Sequence, residues 1–181
     1  MPVPPPPSIT PPPPYRQIRA LHDAETITVY QAYNAEIASA AVAQQRLDAS
    51  PRFRTARMTW IKPSWCWMLY RAGYSYKDPN QARILALRMR RAGFWELLRR
   101  GGPRRRRRRR SGSSGTPSAR ARLEKLGYRS IQIGVPAALQ ARWVAEWIES
   151  IEDVTEKARE LKRFVVPPDL QEVLGMAMVK A

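Results

Sequence analysis

The chain has 181 residues, of which 44% are apolar, and it carries a net charge of +17, one cysteine and one histidine. This length and apolar content suffice for one folded domain with a core but not comfortably for two. Because Cys66 and His22 each stand alone, the sequence excludes an intramolecular disulfide and zinc sites of the usual cysteine and histidine kinds. We therefore expect no bound metal.

The positive charge is concentrated in one segment. Residues 99–122 hold eleven arginines and no acidic residue, so the net charge of the remainder is +6. The run from Arg104 to Arg110 is expected to attract nucleic acid or other polyanions without sequence preference. No stretch reaches the ~18 apolar residues of a membrane-spanning helix, so no membrane association is predicted. Without an apolar signal segment, the sequence predicts a cytoplasmic protein, or a nuclear one if the arginine run directs it there.

The N-terminal part of the chain changes character at residue 15. Residues 1–14 include nine prolines and are predicted to form a disordered, extended tail. Alternation of side chains over residues 15–21 predicts a first strand, and residues 22–25 are typical of a turn. The β-branched and aromatic residues of 26–33 predict a second strand.

Two helices and two strands are predicted in the central part. Asn34 is a plausible N-cap of the first helix, which Ser50 and Pro51 are expected to end. Ile37, Ala40, Ala41, Gln44 and Leu47 repeat at helical spacing on one face of this helix.

A short strand is predicted over residues 57–61, before a helix that Ser64 caps and Gly73 ends. This helix is apolar on nearly all sides and is therefore predicted to be buried. Alternation over residues 83–90 predicts a half-covered strand, residues 91–93 a turn, and residues 94–100 a short helix.

The second half of the domain follows a low-complexity segment. Residues 101–118 are rich in Gly, Arg and Ser and are predicted to be a disordered insert within one domain. Residues 128–135 give a strong strand signal. Spacing by four predicts a helix through Leu139, Trp143, Trp147 and Ile151.

Two further helices are predicted towards the C-terminus. Asp153 and Glu156 have the spacing of a capping box and predict a helix to about Phe164, and Asp169 with Glu172 predicts a last short one. Together these elements predict that residues 15–181 form a single α+β domain, with a mixed or antiparallel sheet and packed helices.

Four blocks of the sequence, in this order, resemble the uncharacterised family called domain of unknown function 4291. They are Tyr-Arg-Gln-Ile-Arg-Ala at 15–20, Val-Tyr-Gln-Ala-Tyr at 29–33, Arg-Met-Thr-Trp-Ile-Lys-Pro-Ser at 57–64 and Tyr-Arg-Ser-Ile-Gln-Ile-Gly at 128–134. The resemblance covers most of the chain outside the proline tail and the arginine run, and it implies no reaction.

The chain departs from that family at two places. The arginine and serine run stands where the family usually continues through an ordered stretch containing Trp and Asp. Cys66 stands where the family normally has a plain apolar residue, so the resemblance does not support a catalytic cysteine.

Cationic and aromatic side chains concentrate between residues 57 and 77, and we expect the functional site there. Lys62 precedes the predicted N-terminus of a helix at Ser64, an arrangement that can bind phosphate or carboxylate. Alternatively, Lys62 points to water. Arg57 and Arg71 could add guanidinium groups to the same anion or pair with acidic side chains. The predicted ligand-binding residues are Arg16, Arg19, Arg57, Trp60, Lys62, Ser64, Tyr70, Arg71 and Arg129.

Three functions are compatible with these residues. The leading hypothesis is a phosphate-recognising domain that binds a nucleotide or a nucleic-acid end. The second is an ADP-ribosyltransferase-like enzyme using NAD, an analogy at the level of the fold, with weak catalytic candidates His22, Asp23, Tyr30 and Gln132. The third is a non-catalytic interaction or nucleic-acid-binding protein that acts through its basic loop. No Gly-rich phosphate loop, paired-carboxylate motif or nucleophile elbow favours one of them.

Overall fold

The computed structural model describes residue 14 and residues 17–100, 113–119 and 125–165; for 113–119 and 125–129 it describes the backbone alone. These residues form five α-helices and six β-strands, which alternate irregularly along the chain, so the α+β class is confirmed. In chain order the elements are β1 (Thr26–Tyr33), α1 (Ala35–Gln44), β2 (Thr59–Ile61), α2 (Trp65–Ala72), β3 (Arg83–Arg90), α3 (Arg91–Arg100), β4 (Ser113–Ala119), β5 (Lys125–Val135), α4 (Ala137–Arg142), β6 (Ile148–Asp153) and α5 (Thr155–Val165).

The first sheet has the strand order β1-β3-β6 and is antiparallel throughout. One of its faces, which carries Val29 and Leu87, packs in the main core together with α1, α3 and α4. The opposite face, which carries Tyr30 and Ile84, packs on α2 and α5. The sheet is therefore covered on both sides, because successive side chains of a strand point to opposite faces.

The second sheet has the strand order β2-β5-β4 and is also antiparallel. Ile133 and Val135 of β5 are completely buried in the main core. Gln132 and Gly134 alternate with them along the strand and therefore lie on its other face. The two sheets are joined where β2 ends. There the amide of Tyr30 donates to the carbonyl of Lys62 at 2.7 Å, and the amide of Lys62 donates back at 3.3 Å.

Several local predictions are confirmed. The strands predicted at 26–33 and 83–90 have the observed bounds. The Asn34 side chain accepts a hydrogen bond from the amide of Ile37 at 2.9 Å, and that of Ser64 accepts one from the amide of Trp67 at 3.3 Å. Gly73 ends α2 with a φ of 54°, a left-handed conformation that favours glycine.

Other predictions about the N-terminal half were wrong. Residues 17–21 form no strand; instead His22 makes an isolated bridge to Ile27, at the start of β1. Helix α1 ends at Gln44, before the predicted end, because Gln45 adopts a left-handed conformation with a φ of 52°.

Helix α2 is not buried on all sides, as its composition suggested. It packs on the first sheet through Met68, Leu69 and Ala72, whereas Tyr70 and Arg71 are exposed. Only one side of the helix faces the sheet, so the apolar residues on its other sides stay partly exposed.

The spacing by four that predicted a helix through Ile151 was misleading. One π-helical turn, Trp143–Trp147, follows α4, and the chain then enters β6, where Ile151 pairs with Leu87. The turn predicted at 91–93 was also wrong, because α3 begins at Arg91. Gly93 lies inside this helix, where a Cβ atom would collide with the Trp147 ring.

The remaining predictions fall at the edges of the described residues. Residues 113–118, predicted to be disordered, belong to β4, which pairs with β5. Backbone hydrogen bonds to β5 hold this strand, which does not need apolar side chains for that pairing. Residues 101–112, the proline tail before residue 14 and the helix predicted at Asp169 lie outside the described residues. That the chain is a single domain stays a prediction.

Candidate functional site

A cavity of about 800 Å³ lies beside the junction of the two sheets. This volume is within the usual range for small-molecule sites, roughly 300–1,000 Å³. Its walls come from β1, the loop between α1 and β2, β2, α2, the turn Pro79–Gln81 and β5. The lining residues are Gln31, Ala32, Tyr33, Asn34, Ile37, Arg52, Phe53, Arg54, Arg57, Thr59, Trp60, Lys62, Met68, Arg71, Asn80, Gln81 and Gln132.

The lining is strongly cationic. It contains four arginines and one lysine, and none of the described lining residues is acidic. Arg52 is neutralised by Glu36, whose carboxylate lies 2.8 Å from its guanidinium group. No salt bridge between described residues involves the other four cations, which are Arg54, Arg57, Lys62 and Arg71. The cavity therefore presents a positive potential to an entering ligand.

Lys62 is the most deeply placed of these cations, with 9% of its surface exposed. It follows β2 directly, and the backbone bridge to Tyr30 fixes its position. Burial, and then the charge of Arg71, lower the pKa of Lys62 to about 8. Because a buried ammonium group without a carboxylate partner is costly, an anion in the cavity would stabilise its charged form.

Arg57 and Arg71 are both exposed, and both line the cavity. Arg57 precedes Lys62 in the sequence, and Arg71 follows it. The carbonyl of Arg57 accepts a hydrogen bond from the side-chain amide of the fully buried Gln140, which anchors the loop before β2 to α4. The charge of Arg71 acts on Asp78. Hydrogen bonds, first that from the amide of Asn80, and then this charge lower the pKa of the Asp78 carboxyl group.

Gln31 ties one wall of the cavity to the next. Its side-chain nitrogen donates to the hydroxyl of Thr59 at 3.0 Å and to the carbonyl of Trp60 at 2.7 Å. Its side-chain oxygen accepts from the hydroxyl of Tyr33 at 2.6 Å. Burial raises the pKa of Tyr33, so this phenol stays protonated and donates at neutral pH. The three bonds fix the orientation of the Gln31 amide.

Trp60 of β2 pairs with Gly134 of the neighbouring strand β5. A Cβ atom on Gly134 would lie 3.0 Å from the sulfur of Met58 and 3.6 Å from Cζ3 of Trp60. The glycine therefore leaves space for the Met58 side chain, whereas the indole would be in ordinary van der Waals contact with such an atom. Trp60 lines the cavity together with Tyr33 and Phe53, whose ring centroids are 6.0 Å apart. Such rings can stack on a planar group of a ligand.

The cavity brings together part of the predicted site. Arg57, Trp60, Lys62 and Arg71 from the predicted ligand-binding set line it, and so does Gln132 from the catalytic candidates. Four polar partners from other elements, Gln31, Asn34, Asn80 and Gln81, also contribute to it.

The other predicted ligand-binding residues are not placed at the cavity. Ser64 caps α2, and Tyr70 stacks on Trp67 with ring centroids 5.1 Å apart. Arg19 is not part of the lining. Arg16 lies outside the described residues, and only the backbone of Arg129 is described.

Two catalytic candidates lie in the turn before β1 and not at the cavity. His22 is exposed and takes part in the bridge to Ile27. Asp23 accepts hydrogen bonds from the amide and hydroxyl of Thr26 and from the amide of Glu25. These bonds, with the nearby Arg88, lower its pKa to about 2. A carboxylate held in this way is a weak proton acceptor at neutral pH.

Tyr30, the third catalytic candidate, is buried on the face of the first sheet that packs on α2 and α5. Its ring lies 5.0 Å from that of Trp65, and burial raises the pKa of its phenol. Its side chain is not among the lining groups. The residues that the ADP-ribosyltransferase hypothesis combined are therefore not gathered in this cavity, apart from Gln132.

The sequence interpretation missed the loop that supplies much of the positive charge. Arg52, Phe53 and Arg54 precede Arg57 within six residues, and this alternation of cationic and aromatic residues just before β2 was an available signal. Asn80 and Gln81 carried no comparable signal, because they reach the cavity only through the fold of the loop before β3.

Neither a metal site nor a membrane-spanning helix is found among the described residues. They contain no group of three or more His, Cys, Asp or Glu side chains placed to hold a metal ion. None of their helices combines the length and the apolar character needed to cross a membrane.

The fold and the cavity define an α+β domain with a basic, partly aromatic cavity between two antiparallel sheets. The chain belongs to the family described as Domain of unknown function (DUF4291), whose model matches residues 17–179. The resemblance noted from the sequence is thereby confirmed. Comparison with curated proteins and with solved structures gives no match.

Proposed function

We propose that this protein recognises a phosphate-bearing ligand, a nucleotide or the end of a nucleic acid, in the cavity between its sheets. The observation that carries the proposal is the set of four cationic lining residues that form no salt bridge among the described residues, although the charge of Arg71 also acts on Asp78. Arg54, Arg57 and Arg71 offer planar guanidinium groups, which match the geometry of phosphate oxygens. Lys62 adds a buried amine, and an anion nearby would stabilise its charged form.

The aromatic lining favours a nucleotide over a simple phosphate ion. Trp60 provides an indole that can stack on a base, and Phe53 and Tyr33 provide a second apolar region. The side-chain amides of Asn80 and Gln81 each donate one hydrogen bond to Asp78, and each has a second N–H and an oxygen that can bond to a base or a ribose. We expect this recognition to take place in the cytoplasm, or in the nucleus.

The other two functions stay predictions. NAD contains both phosphate and aromatic groups, so it is a useful probe for the enzymatic alternative. The binding of polyanions through Arg104 to Arg110 concerns a different part of the chain, which lies outside the described residues.

The proposal is tested by titration calorimetry with adenosine 5′-monophosphate and adenosine. We expect the nucleotide to bind and the nucleoside to bind at least about tenfold more weakly, because charge-assisted hydrogen bonds are worth about 1.5–3 kcal/mol. Arg57→Ala should weaken nucleotide binding by a similar factor. Arg99→Ala, a matched change at an exposed position of α3 outside the cavity, should leave it unchanged.

Two results would contradict this function. One is equal affinity for nucleotide and nucleoside. The other is equal loss of affinity in the Arg57 and Arg99 variants, which would indicate diffuse electrostatic attraction. Circular dichroism and the melting temperature of each variant establish that the fold is retained.

A further inference from the structure

The four cations that form no salt bridge among the described residues come from two segments of the chain. Arg54 and Arg57 belong to the loop before β2, whereas Lys62 and Arg71 lie at the end of β2 and on α2. Lys62 and Arg71 act on each other, since the charge of Arg71 contributes to the lowered pKa of Lys62. The lining therefore contains two cationic pairs from different segments of the chain, which we call the Arg54–Arg57 wall and the Lys62–Arg71 wall.

The charge of these walls exceeds that of one phosphate group. A phosphate monoester carries about −1.5 to −2 charges near neutral pH, which matches two cations. Arg71 is partly compensated, because its charge also acts on Asp78. Even after this discount more than two positive charges remain. A single phosphate would therefore leave one wall without an anion.

Lys62 sharpens this argument because it is buried. The exposed Arg54 and Arg57 can remain solvated when the cavity is empty, whereas Lys62 has little contact with water. A ligand phosphate held only by the loop arginines would not relieve the cost of its burial. A second phosphate that reaches Lys62 would.

We propose that the cavity selects a chain of two or more phosphates, as in a nucleoside 5′-diphosphate or triphosphate, with one phosphate at the Arg54–Arg57 wall and the next at the Lys62–Arg71 wall. This inference rests on the proposed function and names its ligand class. The volume of about 800 Å³ is within the range of small-molecule sites.

Binding of a phosphate beside Lys62 should be accompanied by proton uptake. The charge of Arg71 acts on Lys62. Burial raises the pKa of the phenols of Tyr30 and Tyr33 and of the thiol of Cys66, so these groups stay protonated. The Lys62 amine has a pKa of about 8 in the empty cavity. A phosphate beside it favours the charged form. Binding at about pH 8.5 should therefore take up a proton.

The test is a calorimetric series with adenosine mono-, di- and triphosphate at one ionic strength, with EDTA present. We expect the diphosphate to bind at least about tenfold more tightly than the monophosphate, since a second set of charge-assisted hydrogen bonds forms. Titrations in two buffers of different ionisation enthalpy should show proton uptake for the diphosphate. Lys62→Gln should remove the uptake and most of the preference for the diphosphate.

Arg71→Ala provides an independent variant, because this side chain is exposed and its removal leaves the core intact. It should also reduce the preference for the diphosphate, whereas Arg99→Ala should not. Equal affinities for mono- and diphosphate in the unaltered protein, or a preference that survives in both the Lys62 and Arg71 variants, would overturn the inference and leave the proposed function standing. Failure of all three nucleotides to bind would instead overturn the proposed function.

Discussion

At the scale of single residues, Lys62 shows how a short extended segment can bury a charge. Its neighbour Ile61 is a completely buried core residue, and its own amide and carbonyl bond to Tyr30. The backbone therefore holds Lys62 at the junction of the sheets. The sequence left open whether Lys62 faces an anion or water. With little of its surface exposed, Lys62 does not extend into bulk solvent; that it faces an anion stays a prediction.

We predict that Lys62→Met stabilises the ligand-free protein at about pH 7. Burial lowers the pKa of Lys62 from 10.5 to about 8. Below about pH 8 the amine is charged in both the folded and unfolded states, and the folded state bears the full cost, about 3 kcal/mol in free energy of unfolding. As the pH rises from about 8 to 10.5 the folded protein releases this proton first, so its stability increases.

Urea unfolding at about pH 7 and pH 9.5 checks this prediction. The Lys62→Met variant should be the more stable at the lower pH and should lack this contribution to the rise in stability. Lys77→Met, at an exposed lysine, serves as the control and should change neither. If Lys62→Met is less stable than this control at the lower pH, the expected cost of burying the charge is contradicted.

At the scale of elements, local sequence was sufficient where neighbouring residues determine the structure. Asn34, Ser64 and Gly73 cap or end their helices through groups at most a few positions away, and these predictions held. Ile151 is the opposite case. Its spacing from Trp147 fits a helix, but pairing with Leu87 on a distant strand decides its conformation. Such pairing is not encoded in any local window.

Gln45 provides a contact between elements that can be tested directly. This residue follows α1, and its side-chain amide exchanges two hydrogen bonds with the backbone of Ile151, at 2.8 and 3.0 Å. It therefore satisfies backbone groups on the outer edge of β6, which would otherwise lack partners in the sheet.

We predict that Gln45→Ala lowers the free energy of unfolding by about 0.5–1.5 kcal/mol, because it removes the part-buried hydrogen bond to the amide of Ile151. Gln44→Ala, one position earlier at an exposed site, is expected to have little effect. Denaturant unfolding of both variants gives the comparison. Equal stabilities would show that water replaces the Gln45 amide without cost.

At the scale of the whole molecule, the cavity depends on segments far apart in the chain. Arg57, Trp60, Lys62 and Arg71 could be predicted because they are close together in an unusual stretch. Asn34, Asn80 and Gln132 could not be assigned to the same cavity, because only the packing of β1, β5 and the turn before β3 brings them there. The sequence shows that the segment with Arg52 and Arg54 is cationic, but it does not show that this segment lines the cavity.

The arginine run and the cavity should act as separable binding regions. We predict that replacing Arg104 to Arg110 with alternating Gly and Ser leaves the affinity for adenosine nucleotides unchanged. The same change should reduce the slope of log K against log salt for a single-stranded oligonucleotide by up to about 5, since each neutralised phosphate contributes about 0.7. Replacement keeps the chain length and spares β4, which begins at Ser113.

Fluorescence titrations over a range of salt concentrations provide this measurement. Arg57→Ala should give the converse result, with weaker nucleotide binding and a nearly unchanged oligonucleotide slope. Loss of nucleotide affinity on replacing the run would mean that the two regions bind one ligand together.

The bridge between Tyr30 and Lys62 has a consequence for the mechanics of the domain. The residue whose amine enters the cavity is also the one whose backbone fastens β2 to β1. A ligand that moves the Lys62 side chain therefore acts directly on the connection between the two sheets. Because Lys62 belongs both to the cavity and to this connection, ligand binding should change how rigidly the two sheets are held together.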